Sequence, residues 1–220
     1  MKVLFEDKFI IIVEKPANVL SEPGAGGEDI VTLASNHVCK PCYLVHRLDR
    51  NTGGAMVLSK MQKATGKLSE EIQKREFEKE YIAVVKGVPE EPEGVFEDLL
   101  FKDSQKNKTF VVKRERKGVK FASLEYKVLS TADHPEPGKF SLVLIKLHTG
   151  RTHQVRVQFA SRKMPLLGDG KYGSRDNHCE TALWSRRLAF RHPITSESVE
   201  ALSFPPEEYP WNLFDIANII

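Results

Sequence analysis

The 220-residue chain has no long apolar run, no signal sequence and no nucleotide-binding glycine motif. No segment approaches the roughly 18–20 consecutive apolar residues that a membrane span needs. The N-terminal MKVLFEDKFIIIVEKP has acidic residues around its apolar stretch and no small-residue cleavage site, which is typical of a strand. SEPGAGGED lacks the glycine spacing of phosphate-binding loops and predicts a simple connection. These absences favour a cytoplasmic protein without a membrane segment.

Cysteine is scarce, with three residues in the chain. Cys39 and Cys42 form one Cys-x-x-Cys pair, and Cys179 lies far away beside His178. A zinc site of this type needs a second paired motif, which a single cysteine does not supply. A redox Cys-x-x-Cys is expected where a strand leads into a helix, whereas Pro41 leads here into the apolar Tyr-Leu-Val. We therefore expect reduced cysteines, with no metal site and no redox site.

Charge is sorted along the chain, although the formal net charge is only +3. Residues 101–120 contain eight Lys or Arg and two acidic residues, a net charge of +6, whereas the first thirty residues contain six acidic residues and three lysines. A basic segment of this kind fits either a solvated hairpin or a surface for an anionic partner. Charge alone does not distinguish these alternatives.

Three segments have helical character. We expect Asp29 to be the N-cap of a short helix that ends at about residue 37. Residues 61–76 carry Glu-to-Lys and Glu-to-Arg pairs four positions apart, which favour a helix. We expect Thr152 to be the N-cap of a helix that ends at about Arg162. Most other apolar segments predict strands, without strict strand–helix alternation. The pattern favours an α+β fold on a mixed, largely antiparallel central sheet. The length suits one domain, which we expect to span residues 1–220.

The stretch YLVHRLDRNTGGAMVLSK places a charged turn between two apolar segments. An unpaired buried carboxylate is costly, so Asp49 either pairs with an arginine under the turn or faces a cleft. Arg47, Arg151 and Arg156 are candidate partners. Gly53 and the glycine after it permit a close approach of the backbone. Taken alone, this stretch favours a structural salt bridge.

The combination of three motifs changes this interpretation. HRLDRNTGG, then KEYIAVVKG, then TGRTHQVRVQFASRKMPLLGDGKYG resembles the RluA-type family of RNA pseudouridine synthases. The resemblance continues in order from DKFIIIVEKPANVLSEPG to LAFRHPIT, across nearly the whole chain. It implies the pseudouridine synthase fold, with helices around the sheet and a catalytic cleft. It also implies an isomerase that converts a specific uridine of ribosomal or transfer RNA to pseudouridine, without a metal or a cofactor.

The resemblance also implies roles for individual residues. Asp49 matches the family's essential aspartate, and Tyr81 matches the tyrosine that packs on the target uracil and is thought to help remove the C5 proton. Arg156 matches the basic partner of the aspartate, and Arg47 matches the arginine thought to enter the space left by the flipped base. Further expected substrate-binding residues are Arg151, His153, Gln154, Lys171 and Tyr172. From the basic segment, we expect contacts with RNA phosphates from Lys113, Arg114, Arg116 and Lys117.

The chain departs from the usual family pattern at three places. Gly53 takes the place of the serine in the usual Thr-Ser-Gly. Gln158 takes the place of the histidine that usually ends the Gly-Arg-Thr-His block. Trp184 takes the place of the histidine in a segment that frequently reads Leu-His-Ala. It also begins at the catalytic region, so we expect no S4-type RNA-binding module. RNA affinity should then come from the core or the basic segment, and we expect a monomer.

Two other functions compete with this prediction. An RNA-binding module that has lost catalysis would be expected to have lost Asp49, Tyr81 or Arg156, and all three are present. A hydrolase that releases free uracil would need a general acid and an activated water. The single aspartate and arginine of the motifs agree better with a base that is retained.

Overall fold

The computed structural model describes residues 1–24, 27–133 and 138–219, which fall into two compact units. The first comprises Met1–Glu80 and Trp184–Pro205, and the second comprises Tyr81–Leu183 and Pro206–Ile220. Residues 25 and 26 of the predicted glycine-rich connection lie outside the described residues. In the described ranges no helix is long and apolar enough to cross a membrane. A single catalytic domain over residues 1–220 stays a prediction.

The strands and helices, in chain order, are β1 (Lys2–Glu6), β2 (Ile10–Lys15), α1 (Ile30–Val38), β3 (Tyr43–Leu44), β4 (Gly53–Ser59), α2 (Gln62–Lys74), β5 (Glu78–Lys86), β6 (Glu93–Asp103), β7 (Lys108–Val112), β8 (Val119–Asp133), β9 (Lys139–Leu147), α3 (Gln154–Ser161), β10 (Leu183–Arg191), β11 (Ser198–Leu202) and α4 (Ile216–Ile219). Short 3₁₀ turns lie at Gly170–Tyr172 and Trp211–Leu213.

The first unit is built on a mixed sheet with the order β1-β2-β4-β10-β11, and β3 also pairs with β4. All neighbours are antiparallel except β4 and β10, which are parallel. All seven residues of β4 are buried, which explains its nearly continuous apolar sequence. One core cluster consists of Ile10, Ile12, Ala55, Val57, Leu68, Phe77, Leu188, Phe190, Val199 and Ala201.

Both helices predicted in the first unit are confirmed. Asp29 is the N-cap of α1, and its carboxylate accepts the backbone N–H of Thr32 at 2.8 Å. The helix ends at Cys39 in the left-handed conformation, so this cysteine closes a helix rather than beginning one. Helix α2 contributes Leu68 and Ala64 to the core and exposes its charged face.

The second unit is built on a sheet with the order β5-β9-β8-β6-β7. The pairs β6–β7, β6–β8 and β8–β9 are antiparallel, which agrees with the largely antiparallel sheet that the sequence favours. One face of β6 and β8 packs against α3, where Leu100, Ala122 and Val157 form a buried cluster. Because strand side chains alternate, the neighbouring residues of β6 and β8 lie on the other face.

The predicted N-cap of α3 was wrong by one residue, although its end is close to the predicted one. Gln154 is the first helical residue, and His153 is the N-cap in the left-handed region with φ 55°. Thr152 does not cap the helix. Instead its carbonyl oxygen accepts the Thr109 hydroxyl at 2.9 Å. The Gln154 side chain stabilises the turn, because its amide oxygen accepts the backbone N–H of Arg151 at 3.0 Å.

Two departures from the usual family pattern meet in the first unit. The parallel register pairs Gly53 of β4 with Trp184 of β10. A Cβ atom on Gly53 would lie 2.2 Å from Cζ3 of the Trp184 ring, far inside any real contact. Trp184 is itself buried, and its indole N–H donates to the Ser203 hydroxyl at 3.0 Å. Glycine at position 53 is therefore required by the ring at position 184.

This contact predicts an interaction between two substitutions. We expect Gly53→Ser to lower the free energy of unfolding by about 1–3 kcal/mol, because overpacked cores are destabilised by that amount. In the Trp184→His background the same change should cost less, with a coupling of about 0.5–3 kcal/mol in urea unfolding. Gly66→Ser is the control, since a Cβ at Gly66 meets nothing within 4 Å. Equal costs of Gly53→Ser in both backgrounds would contradict the contact.

Candidate active site

The half-buried Asp49 lies at the start of a turn that is held on both sides. The Asp49 carbonyl oxygen accepts the backbone N–H of Thr52 at 3.0 Å. The preceding residue, Leu48, is buried, and the Ser21 hydroxyl donates to its carbonyl oxygen at 2.6 Å and accepts its N–H at 3.0 Å. The backbone around the carboxylate is thus fixed by contacts from the segment that follows β2.

Lys15 is the buried anchor of the same turn. Its ammonium donates to the carbonyl oxygens of Pro16 at 2.9 Å, Val19 at 2.7 Å and Arg50 at 3.0 Å. The side chain is fully buried, and this burial lowers the pKa of Lys15 to about 8, while the nearby charge of Asp49 acts in the opposite direction. The sequence around this lysine predicted only the end of a strand. In the structure its ammonium joins residues 16–19 to Arg50, the residue after Asp49.

The buried amine makes stability depend on pH. The amine has an ordinary pKa of 10.5 and a pKa of about 8 in the folded protein, so the unfolded chain binds more protons between these values. The contribution of Lys15 to the free energy of unfolding therefore rises with pH across that range. We expect the difference between wild type and Lys15→Met to grow by up to about 3 kcal/mol from pH 8 to 10.5. Lys67→Met, at an exposed position of α2, controls for the loss of one charge. A flat or falling difference would contradict the prediction.

Arg47 lies two residues before Asp49 and points to an acidic partner on the surface. Its Nη1 lies 2.6 Å from Oε1 of Glu22, and both side chains are about half exposed. Such exposed pairs contribute about 0–1 kcal/mol. The arginine can therefore exchange Glu22 for another partner at little cost.

In the second unit, Arg156 is held by a carboxylate that was not predicted from the sequence, that of Asp169. Its Nε lies 2.7 Å from Oδ2 of Asp169, and its Nη2 lies 2.8 Å from Oδ1. Both residues are buried, and the guanidinium lies 5.1 Å from the centre of the Tyr172 ring. A bidentate pair fixes the plane of the guanidinium. The signal in the sequence was an acid between two glycines, just before the predicted Lys171 and Tyr172.

Tyr172 joins several of the predicted residues. Its hydroxyl oxygen accepts the backbone N–H of Thr109 at 2.9 Å and lies 2.9 Å from Nδ1 of His153. Burial is the main cause that raises the pKa of Tyr172, so the phenol keeps its proton at neutral pH. This arrangement allows the hydroxyl to donate to His153. The Lys108 ammonium lies 5.1 Å from the centre of the same ring.

The turn before α3 brings together the other predicted residues of the second unit. Gln154 is buried, and its amide donates to the carbonyl oxygen of Ser123 at 3.0 Å. Arg151 is exposed, and its Nε donates to the carbonyl oxygen of Phe121 at 2.9 Å. Lys171 donates to the carbonyl oxygen of Asn107 at 3.1 Å. The Gln154 contacts support the turn, and direct contact of these residues with a substrate stays a prediction.

The remaining predicted residues lie in three other places. Tyr81 is in β5 at the start of the second unit and is 6% exposed. Asp49 and Arg47 belong to the first unit. The exposed connection between β7 and β8 carries the predicted phosphate contacts Lys113, Arg114, Arg116 and Lys117. The expected pairing of Asp49 with Arg156 joins residues of different units and stays a prediction.

Two of the three cysteines are removed from solvent at least in part. Cys39 is exposed, Cys42 is buried and Cys179 is half-buried, and all three are free. Burial raises the pKa of Cys179 to about 12 and also raises that of Cys42. These two thiols are therefore protonated at neutral pH, the opposite of what a thiolate nucleophile requires. Among the residues with described positions, no three His, Cys, Asp or Glu side chains form a group able to hold a metal ion.

Comparison with known proteins identifies one family. The model of RNA pseudouridylate synthases matches residues 9–161. An uncharacterized RNA pseudouridine synthase of Aquifex aeolicus is 33% identical over 217 residues, which cover 90% of this chain and 67% of the relative. Ribosomal large subunit pseudouridine synthase D of Haemophilus influenzae is 29% identical, with 95% of this chain and 68% of the relative covered. The chain thus spans about two thirds of the length of these relatives.

Solved structures show the same fold. The structure of the human protein "RNA Pseudouridylate Synthase Domain Containing 1" is similar with a TM-score of 0.80 at 22% identity. The match covers 95% of this chain and 84% of that chain. The structure of a second human protein, "RNA Pseudouridylate Synthase Domain Containing 4", is similar with a TM-score of 0.74 at 23% identity. The match covers 93% of this chain and 88% of that chain. The α+β fold with a largely antiparallel sheet is confirmed. The chain belongs to the family of RNA pseudouridine synthases, isomerases that convert uridine in RNA to pseudouridine.

Proposed function

We propose that the protein isomerises a specific uridine of ribosomal or transfer RNA, acting as a monomer in the cytoplasm, with residues 1–220 as a single catalytic domain. The main support for the proposal is that the backbone around Asp49 is fixed by hydrogen bonds from Ser21. The same chain also has the buried pair of Arg156 and Asp169. Relatives named as ribosomal large subunit pseudouridine synthases favour ribosomal RNA as the first substrate to test.

The proposed reaction requires Asp49 at the sugar. The bond from C1′ to N1 breaks, the base turns over, and C5 bonds to C1′ while the C5 proton leaves and N1 gains a proton. Asp49 acts either as a nucleophile at C1′ or as a base that takes a sugar proton to give a glycal. Atoms and electrons balance in both routes without oxidation or net hydrolysis, so no step needs a redox cofactor.

The other residues position the nucleotide in this proposal. A uridine stacked in RNA must be extruded before its C1′ and C5 can be reached. Tyr81 packs on the uracil, and Arg47 leaves Glu22 to fill the space that the base vacates. Arg156, held in plane by Asp169, stabilises the ionised Asp49. Arg151, His153, Gln154, Lys171 and Tyr172 form the supporting substrate-binding group.

A deletion strain tests this function. Its RNA is mapped for pseudouridine at single-nucleotide resolution, with and without a plasmid copy of the wild-type gene. We expect at least one pseudouridine to be absent in the strain and restored by the plasmid. If every modified site persists without the protein, the function is refuted. Free uracil as the product would point to a hydrolase instead.

The basic connection between β7 and β8 is expected to bind phosphates. Replacing Lys113, Arg114, Arg116 and Lys117 with glutamine should weaken RNA binding. It should also reduce the slope of log affinity against log salt by up to about 0.9 for each duplex phosphate that is no longer neutralised. Fluorescence anisotropy over a series of salt concentrations measures both quantities. An unchanged slope would rule out this role.

A further inference from the structure

The second unit has an apolar sheet face that its own core does not cover. On β6 and β8, Leu100 and Ala122 point to α3, so Phe101 and Phe121 lie on the opposite face. On β7, Phe110 pairs directly with Phe101 and shares that face. Phe121 is 45% exposed and Phe110 is 36% exposed. We call this surface the aromatic face, and it consists of Val95, Leu99, Phe101, Phe110, Val112, Val119 and Phe121.

Cations lie at two of the rings of the aromatic face and beside the third phenylalanine. The Arg116 guanidinium lies 4.5 Å from the centre of the Phe101 ring, and the Lys108 ammonium lies 5.9 Å from that of Phe110. Arg151 donates to the carbonyl oxygen of Phe121 at 2.9 Å. Residues 101–120, which contain most of this surface, have eight Lys or Arg against two acidic residues. The side chains combine stacking surface with positive charge.

This combination favours RNA over a protein partner. Single-stranded nucleic acids bind where aromatic side chains stack on bases beside a basic track for the backbone. Protein interfaces, in contrast, are depleted in lysine at their core. Three phenylalanines on adjacent strands, two of them with a lysine or an arginine at the ring, therefore match unpaired RNA. Glu97 and Glu125 also lie on this face, beside Val95, so the positive charge is concentrated at the end that carries Phe101, Phe110 and Phe121.

The strand that carries Phe110 is rigidly attached to the Arg156 cluster. The backbone N–H of Thr109 donates to the Tyr172 hydroxyl, and the Lys108 ammonium donates to the carbonyl oxygen of Lys171 at 2.5 Å. Arg151 belongs to the Gly-Arg-Thr-His motif and contacts Phe121. Through this edge strand and Arg151, the aromatic face is linked to the predicted substrate-binding residues of this unit, whose Tyr172 packs on the α3 side of the sheet.

We propose that the aromatic face is a stacking platform for unpaired bases of the substrate RNA outside the target uridine, with the surrounding Lys and Arg on the phosphates. The proposal rests on the proposed function, since it assigns a second contact to the same RNA. Bases stack on Phe110 and Phe121, and every base can do so, so the contact adds affinity for single-stranded segments without reading their sequence.

Binding of two fluorescent RNAs to the full chain tests the platform. One is an oligouridylate of about 12 nucleotides, within the range of single-strand sites, and the other is a duplex of equal length. Phe110→Leu with Phe121→Leu keeps apolar side chains and removes the rings, and should weaken oligouridylate binding about tenfold or more. Duplex binding should change much less. Phe110→Tyr with Phe121→Tyr keeps the rings and should bind as wild type.

Phe204→Leu is the matched control, because Phe204 is 45% exposed beside Arg186 in the other unit. Wild-type oligouridylate affinity in the Phe110→Leu, Phe121→Leu variant would overturn the platform. Loss of self-association in that variant, with RNA affinity unchanged, would also overturn it and identify an interface between copies. A deletion strain that keeps every pseudouridine overturns the proposed function, and with it the assignment of the bound RNA as substrate.

Discussion

Asp49→Asn is expected to abolish pseudouridine formation while leaving RNA affinity close to that of wild type. The amide keeps the size of the carboxylate, so the turn held by Ser21 and Lys15 should survive. It can neither attack C1′ nor take a sugar proton, so both routes stop at the first step. Removing the central group of a catalytic site typically lowers kcat by about 10⁴-fold or more.

The loss of the C5 hydrogen gives a direct measurement. RNA labelled with tritium at uridine C5 releases the label when C5 bonds to C1′, so release under single-turnover conditions follows the chemistry. Glu90→Gln, which removes an exposed carboxylate of the second unit, should release tritium at the wild-type rate. If Asp49→Asn keeps its rate within about tenfold of wild type, Asp49 is not the reacting group.

Asp169→Asn is expected to produce the largest loss of stability among the site variants. The change leaves the Arg156 guanidinium buried without the carboxylate that now binds Nε and Nη2. Removing one partner of a buried pair costs about 3–5 kcal/mol, measurable by urea unfolding. Glu70→Ala breaks the exposed pair with Lys74 in α2 and should cost less than about 1 kcal/mol. Equal costs for the two variants would contradict the buried pair.

The Asp169→Asn variant also shows whether Asp169 positions Arg156 for catalysis or only stabilises the fold. We infer that Asp169 acts through Arg156, so kcat should fall more than RNA affinity in Asp169→Asn. Adding Arg156→Met removes the unpaired charge and should restore part of the stability but none of the activity. If stability and kcat both return in the double variant, the role of Asp169 is structural only.

The sequence correctly predicted the helices that depend on neighbouring residues, through an N-cap and charge pairs four positions apart. Asp29 caps α1 as expected, because a carboxylate before an apolar run satisfies an N–H of the first turn. Helix α2 has the expected bounds within two residues at each end. Strand β6 was not predicted, because its start is acidic and the apolar residues that it buries become evident only beside β8.

Site residues were predicted where they match a motif of the family. They were not predicted where their role depends on a contact with a residue distant in the sequence. Arg156 was identified, but its partner Asp169 lies thirteen residues later and meets it only through the return of the chain after α3. Lys15 was interpreted as the end of a strand, because nothing in EKP reveals three carbonyl oxygens around its ammonium. The start of α3 was misplaced because a left-handed His153 has no composition signal.

The contact between Gly53 and Trp184 constrains how this chain can be recombined with its relatives. With the family's usual serine at 53, the Cβ atom would lie 2.2 Å from the tryptophan ring, whereas glycine leaves room for that ring. A chimera with a crossover between the two positions inherits a clash when it takes Trp184 from this chain and serine from a relative. Crossovers outside residues 53–184 keep the pair together and avoid that barrier.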